Sequence, residues 1–422
     1  MRALGGAVSH PLRRNLTSHH NLNLAQASRL DELRPLGRLR FHVRMTTLRQ
    51  CAVPFAVLLL APLVSRKASA AESLVYFGTY TNKRKSKGLY VSHFNSSTGK
   101  AQDPILAAEI KSPSWVVVAP GGRFLYAVTE EGRIGSVSAF SIDRATGKLT
   151  ALNTVSTKGN GPCHLAVDHT GKTLLAANYD SGSTAAFPIH GDGSLGEAAS
   201  FIQHMGSGPD KSRQAGPHAH CITVSPDNRF ALVNDLGLDE ILIYKMDSAK
   251  ALLTPNDPPF GKVPPGAGPR HLAFAPNGKF AYVVNEMGQS TTAFSWDAAR
   301  GALMAIQTIS DIPHEVPGNS GAEITVHPSG KFVYSSNRGH DSLAVFSVNA
   351  KDGKLTLVEY ASTKAKTPRG FGIDPSGSYL LAAGQDSDNV VVFRIDKKTG
   401  KLTPTGQELQ VAMPVCVQFL AL

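Results

Sequence analysis

Cysteine is scarce in this chain, with four residues among 422, at positions 51, 163, 221 and 416. No pair has zinc-type spacing. The three beyond residue 70 are an odd number, so neither a disulfide framework nor structural zinc is indicated, and core thiols are the expectation. Charged residues make up only 18% and aromatic residues 7%, with two tryptophans. The most apolar run, Cys51–Val64, is too short to span a bilayer. Nor is there a convincing long helix. Basic charge is also missing where the overall balance suggests it. Residues 1–70 hold eleven of the 43 Lys and Arg against only Asp31 and Glu32, and so carry +9 of the formal +11. The remaining 352 residues are nearly neutral, which removes the charge argument for a nucleic-acid partner.

The leader has its own logic. From Met45, "MTTLRQCAVPFAVLLLAPLVSRKASA" places Arg49 before the apolar run and ends in Ala68-Ser69-Ala70. That is a secretory signal pattern over 45–70, with cleavage expected after Ala70. Arg66 and Lys67 depart from the usual cleavage region. Residues 1–44 are Arg-rich and acid-poor, consistent with a start assigned upstream of Met45 or with a transit peptide. The expected location is periplasmic or secreted, or cytoplasmic if the leader does not function. The mature domain is expected over 71–422, without a membrane partner.

Glycine and turn residues are plentiful, and they recur. "PGGR" (120–123), "HTGK" (169–172), "PDNR" (226–229), "PNGK" (276–279), "PSGK" (328–331) and "PSGS" (375–378) each precede an apolar run. Gly or Asn takes the position that needs positive φ, as hairpin turns require. A second turn of the "TGK" kind follows each alternating strand. The period is near fifty residues, with four antiparallel strands per unit. Complete units start near Pro113, Pro162, Pro217, Pro269, Gly321 and Pro368. Leu74–Ile110 supplies three strands, and "MPVCVQFL" (413–420) supplies the missing inner one. The expected fold is all-β, a seven-bladed propeller closed by both chain ends and edge-protected enough to be monomeric.

Counting from the first turn aligns three columns. Five residues before it stand Trp115, His164, Cys221, His271, Glu323 and Gly370, with Cys416 in the equivalent place. Six before stand Ser114, Cys163, His220, Arg270, Ala322 and Arg369. Ten after stand Glu130, Tyr179, Leu236, Glu286, Arg338 and Gln385. The blade path predicts that all three columns converge on one mouth of the central channel. The two longest connections, 204–220 and 310–323, are expected on the same face. The mouth would then collect His164, His218, His220, His271, His314, Arg213, Arg270, Arg338, Arg369, Glu286 and Glu323. Histidine suits proton transfer near neutrality, and arginine binds carboxylate or phosphate through paired N–H groups. The plainer reading is structural: histidines bonding loop carbonyls, and Arg338 and Arg369 neutralising Glu286 and Glu323. "HAH" (218–220) with Glu323 gives only a weak metal signal, and no metal or other cofactor is expected.

The stretches "RQAGPHAH", "GAGPRHLAFAPNGKFAYVVNE", "GAEITVHPSGKFVYSSNRGHDSLAVF" and "TPRGFGIDPSG" resemble the seven-bladed 6-phosphogluconolactonase family, which is similar to the cofactor-independent fungal carboxymuconate lactonising enzymes. "GPCH" before His164 departs from some members. The resemblance spans about Ser73 to Leu422 and implies a small lactone substrate opened or closed in the channel mouth without an obligatory metal. It carries His164, His218, His220, Arg270, His271, Glu323 and Arg338 as candidates. The residues permit a hydrolysis in which Glu323 or a histidine activates water and Arg270 stabilises the oxyanion. Arg213 and Arg338 would then hold the substrate anion, and His271 would protonate the leaving alkoxide. His164 completes the expected catalytic group, with His218, His220, Glu286 and Arg369 lining the substrate. A muconate-type cycloisomerase and a non-catalytic exported binding propeller stay open as alternatives. An enzyme should leave a carboxylate or histidine facing an open cavity. A binding module should show arginines and glutamates neutralising one another.

Overall fold

The computed structural model describes residues 72–82, 86–131 and 135–422. The expected extension and signal segment lie outside them. The described residues are strands, turns and bends without helix. They form seven antiparallel sheets, each rising from one inner strand. The inner strands are Pro414–Ala421, Val116–Val118, Pro162–Val167, Ala219–Val224, Pro269–Phe274, Ser320–Val326 and Pro368–Ile373. Each touches the next, and the last returns to the first, so the ring is closed. Closure joins the chain ends: Glu72–Thr79 pairs antiparallel with Pro414–Ala421, from Ser73↔Ala421 to Thr79↔Pro414. In this blade the outermost strand is broken into Lys100–Ala101 and Ile105–Glu109.

The repeated turns adopt the geometry their residues suggest. The first-turn glycines have positive φ, for example Gly278 (66°) and Gly330 (70°), and in "PDNR" Asn228 takes the same role at 61°. The second turn explains why most units keep a glycine near "TGK", the exception being Ala251 in "SAKALLT". A Cβ at Gly193, Gly301, Gly353 or Gly400 would collide with Phe124, Phe230, Phe280 or Phe332 of the preceding blade. Two residues beyond three of these phenylalanines, a buried tyrosine donates to the same glycine's carbonyl. The bonds are Tyr126 OH to Gly193 O (3.0 Å), Tyr282 to Gly353 (3.1 Å) and Tyr334 to Gly400 (2.7 Å). Where the ring closes, the Tyr379 ring of the last blade occupies the corresponding place above Gly99 of the first. Blade-to-blade contact is thus a repeated aromatic-on-glycine seat, backed by apolar clusters that each draw on two neighbouring sheets. Cys163, Cys221 and Cys416 are buried free thiols, as expected.

Because the inner strand of the closing blade is the last segment of the chain, deletion of residues 413–422 should abolish cooperative unfolding. Thermal melting followed by near-UV circular dichroism tests this, and an unchanged sharp midpoint would refute the closure argument.

Candidate functional site

Every inner strand begins at the same face of the ring, and six of the seven carry a register shift there. Pairing jumps from Pro162 to His164, Ala219 to Cys221, Pro269 to His271, Gly321 to Ile324, Pro368 to Gly370 and Pro414 to Cys416. Such bulges re-aim the unpaired residue. Here they release Cys163, His220, Arg270 and Arg369 from the ladder at the channel entrance. A second repeated contact brings in the column at the end of the adjacent strand. The N–H of Glu130, Tyr179, Leu236, Glu286 and Gln385 donates to a carbonyl just before the inner strand, as from Glu286 to Gly268 O (2.8 Å).

The three columns are divided between two larger cavities, and members of all three reach the narrow space of about 10 Å³ between them. Cys163, Tyr179, Asp180, Arg213, His220, Glu286, Arg338, Arg369 and Glu130 line a mouth cavity of about 250 Å³. Trp115, His164, His271 and Glu323 instead line a separate channel cavity of about 410 Å³. The rest of its wall comes from residues further along the inner strands, such as Thr223, Ile373 and Phe419. The physical reason is the bulge, which puts the two adjacent columns on different levels. Arg270 and His271 form the partition and also line the narrow space between, with Tyr80 and Arg369. His314 reaches neither cavity. It packs edge-on to His340, ring centroids 6.2 Å apart.

At the mouth, Glu286 is the hub. Its Oε1 accepts from Arg213 Nη2 at 2.6 Å, and its Oε2 lies 2.9 Å from Arg338 Nη2 and 3.1 Å from Arg270 Nε. Burial opposes its ionisation, but Arg338 and Arg270 overrule burial and hold the carboxyl down to about 2. Arg213 is supplied by the long 204–220 connection. That loop is pinned by the fully buried pair His204 Nδ1–Asp235 Oδ2 (2.7 Å) and by Gln214 Nε2 donating to Leu236 O (2.8 Å). His218 stacks on Tyr179 (4.6 Å) and donates from Nδ1 to the Tyr179 carbonyl (3.0 Å), while His220 meets the same ring edge-on. The two histidines therefore bracket a tyrosine. Among the described residues no group of three or more His, Cys, Asp and Glu is placed to hold a metal.

Arg369 differs from the other arginines. Among the described residues it makes no hydrogen bond or ion pair, and its guanidinium sits over the Tyr80 ring at 5.4 Å. It therefore does not neutralise Glu323. Tyr80 donates its hydroxyl to Glu130 Oε1 (3.2 Å). Tyr80, Tyr179 and Cys163 were not foreseen as site residues. Tyr179 and Cys163 stood in the aligned columns, but Tyr80 lies in the incomplete first unit, where no turn was available to count from.

One level down, hydrogen bonding fixes the His271 tautomer. Arg270 Nη1 donates to Ala322 O (2.6 Å) and lies 3.3 Å from His271 Nε2, which must accept. The proton is then on Nδ1, which donates to Glu323 Oε1 at 3.1 Å. Burial, reinforced by the positive charge of Arg270, pushes His271 and His220 well below the usual imidazole range. His164, stacked on Trp115 at 4.1 Å, is lowered first by burial and then by His271. Burial raises Glu323 to about 8 against its ordinary 4.5, only partly opposed by Arg270. At neutrality the lower level therefore holds two neutral imidazoles, His164 and His271, and a carboxylic acid.

Comparison with known proteins follows this geometry. The family model described as "Lactonase, 7-bladed beta-propeller" matches residues 74–419. The 6-phosphogluconolactonase of Bacillus subtilis is 39% identical over 346 residues, covering 82% of this chain and 97% of the relative. That of Formosa agariphila is 35% identical over 305 residues, covering 71% and 86%. The structure of the periplasmic gluconolactonase of Pseudomonas aeruginosa superposes with a TM-score of 0.79 at 31% identity, covering 83% of this chain and 99% of that one.

Glu323 also predicts a pH dependence of stability. A carboxyl raised in the folded state favours folding fully below its ordinary 4.5, and that contribution is lost as pH rises through about 8. Buried Asp311, raised to about 7, acts in the same direction. Glu323→Gln keeps a neutral acceptor for His271. It should flatten the fall of the thermal midpoint between pH 5 and 8, and an identical slope in both proteins would place the Glu323 proton elsewhere.

Proposed function

Because this chain belongs to the seven-bladed β-propeller lactonase family, over residues 74–419, we propose that it hydrolyses the ester of an anionic sugar lactone at the mouth cavity. The observation that carries this reading is an uncommitted guanidinium, Arg369, lining the same cavity as a neutral imidazole, His220. The charge balance agrees. The described groups at the mouth include four arginines against three carboxylates, Glu130, Asp180 and Glu286. A negatively charged ligand would restore the balance.

His220 is the proposed base. Cys163 Sγ contacts the His220 carbonyl at 3.2 Å and Nδ1 at 3.8 Å, which leaves Nε2 turned toward Glu286 at 4.0 Å. In hydrolysis, Nε2 takes a proton from water as the water oxygen bonds to the lactone carbonyl carbon. Arg338, whose Nη2 is occupied by Glu286 and the Gly321 carbonyl (2.7 Å), offers its other amino group to the oxyanion. When the tetrahedral intermediate collapses, the ring C–O bond breaks and the imidazolium returns the proton to the departing alkoxide. The net change is one lactone and one water becoming one hydroxy acid. Glu286 acts by holding Arg213, Arg270 and Arg338 in place, being too strongly stabilised as an anion to be an effective base. Arg369 would take the substrate's phosphate or carboxylate.

This assignment moves the base from Glu323 to His220, since Glu323 is protonated at neutrality and faces the other cavity. Export through the 45–70 segment is part of the proposal, supported by the periplasmic location stated for the Pseudomonas relative. Fractionation of a tagged full chain tests it, with retention in the cytoplasm as the contrary result.

Activity is measured by pH-stat, subtracting spontaneous hydrolysis. His220→Ala should lower kcat by roughly 10²–10⁴. Because the His220 pKa is depressed, the acid limb of kcat/KM for uncharged gluconolactone should fall below the normal imidazole range, near 6.5. A full rate in His220→Ala would remove the base assignment. Arg369→Met should raise KM about 10- to 100-fold for 6-phosphogluconolactone, and much less for gluconolactone. Equal effects on both would show that Arg369 does not read the anion.

A further inference from the structure

The channel cavity is as well built as the mouth, and the hydrolysis above does not use it. It holds about 410 Å³ on the far side of the Arg270–His271 partition. Its one carboxyl among the described residues is Glu323, which is 93% buried. Oε1 is occupied by His271 Nδ1 (3.1 Å) and the Ile324 N–H (2.9 Å), whereas Oε2 has no partner among the described residues. Thr223, Thr325 and Gln418 add hydroxyl and amide groups to its wall, and Phe371, Ile373 and Phe419 add apolar surface.

We infer that this channel cavity is a second binding site, for a small uncharged polyhydroxylated molecule such as a six-carbon polyol or sugar. The charge pattern selects against the alternatives. No arginine or lysine lines the cavity, so nothing would compensate an anion. A cation would face Arg270 through the partition and two neutral imidazoles, His164 and His271. A neutral polyol fits this wall, with C–H faces against the aromatic rings and hydroxyls against Glu323 Oε2 and the threonines. The carboxyl, kept protonated by burial, can donate as well as accept.

Between this site and the mouth lies only a narrow space of about 10 Å³, lined by Trp115, His220, Arg270, His271 and Arg369 among others. Glu323 contacts His271, His271 contacts Arg270 (3.3 Å), and Arg270 contacts Glu286 (3.1 Å). An occupant is therefore distinguishable from a substrate bound at the mouth.

Trp115 lines this cavity and is stacked on His164, so it reports occupancy, while the other tryptophan, Trp296, packs with Phe230 and Phe274. The test is a fluorescence titration of the full domain, in a Trp296→Phe background, with sorbitol. A saturable change in emission is expected, weakened about tenfold by Ile373→Phe, which narrows the cavity without adding a second emitter, and largely retained in Glu323→Gln. Lactone hydrolysis by Ile373→Phe should stay normal, as should sorbitol binding in His220→Ala. No saturable change would overturn the inference. So would displacement of sorbitol by 6-phosphogluconate with no effect of Ile373→Phe, because the probe would then be sitting at the mouth. Tighter binding of gluconate than of sorbitol, sensitive to Ile373→Phe, would overturn the uncharged class.

Discussion

Ring closure is the constraint on which everything else rests. At five of the seven junctions an aromatic residue lies over a glycine whose turn admits no side chain, including Tyr379 over Gly99 where the last blade joins the first, and at a sixth Val91 and Leu74 lie against Gly147. These seats leave the inner strands little freedom in radius or tilt. The strand starts therefore become fixed points around one axis, and residues far apart in sequence come within hydrogen-bond distance. Arg213, Arg270 and Arg338 arrive at Glu286 from a loop and two different blades. No local segment could assemble that cluster. Removing one partner of this buried charge cluster would strand the others and destabilise the ring.

Much of the fold could be read from the sequence because turn chemistry is local. Gly278 and Asn228 need positive φ whatever surrounds them, so the period and the blade count follow from spacing. The seventh blade could be read because each chain end lacked what the other supplied. The aromatic seats were hidden, since nothing in "TGK" says that a phenylalanine of another blade will lie against it.

The site was legible only as a set of columns. The columns pick out Glu286, Arg270, His220 and Glu323, but ideal strand alternation cannot show a bulge. A shift of one residue, as between Pro269 and His271, decides which neighbour faces the mouth and which faces the channel. Partner choice was likewise invisible. Arg338 pairs with Glu286 as the structural reading allowed, while Arg369 lies over Tyr80 instead of neutralising Glu323. Tyr80 itself precedes the first countable turn.

The partition between the two cavities keeps two kinds of electrostatics apart. Above it, arginines outnumber carboxylates, and Glu286 stays ionised despite its burial. Below it, Glu323 holds its proton and the histidines are neutral. Burial is nearly the same on both levels: Glu286 is 6% exposed and Glu323 7%. The opposite protonation states therefore come from charge partners. Three guanidiniums contact Glu286, whereas Glu323 meets the neutral edge of His271, whose other nitrogen absorbs the nearest guanidinium, Arg270. His271 thus acts as an electrostatic spacer. It can do so only as the Nδ1–H tautomer, which Arg270 enforces by donating to Nε2.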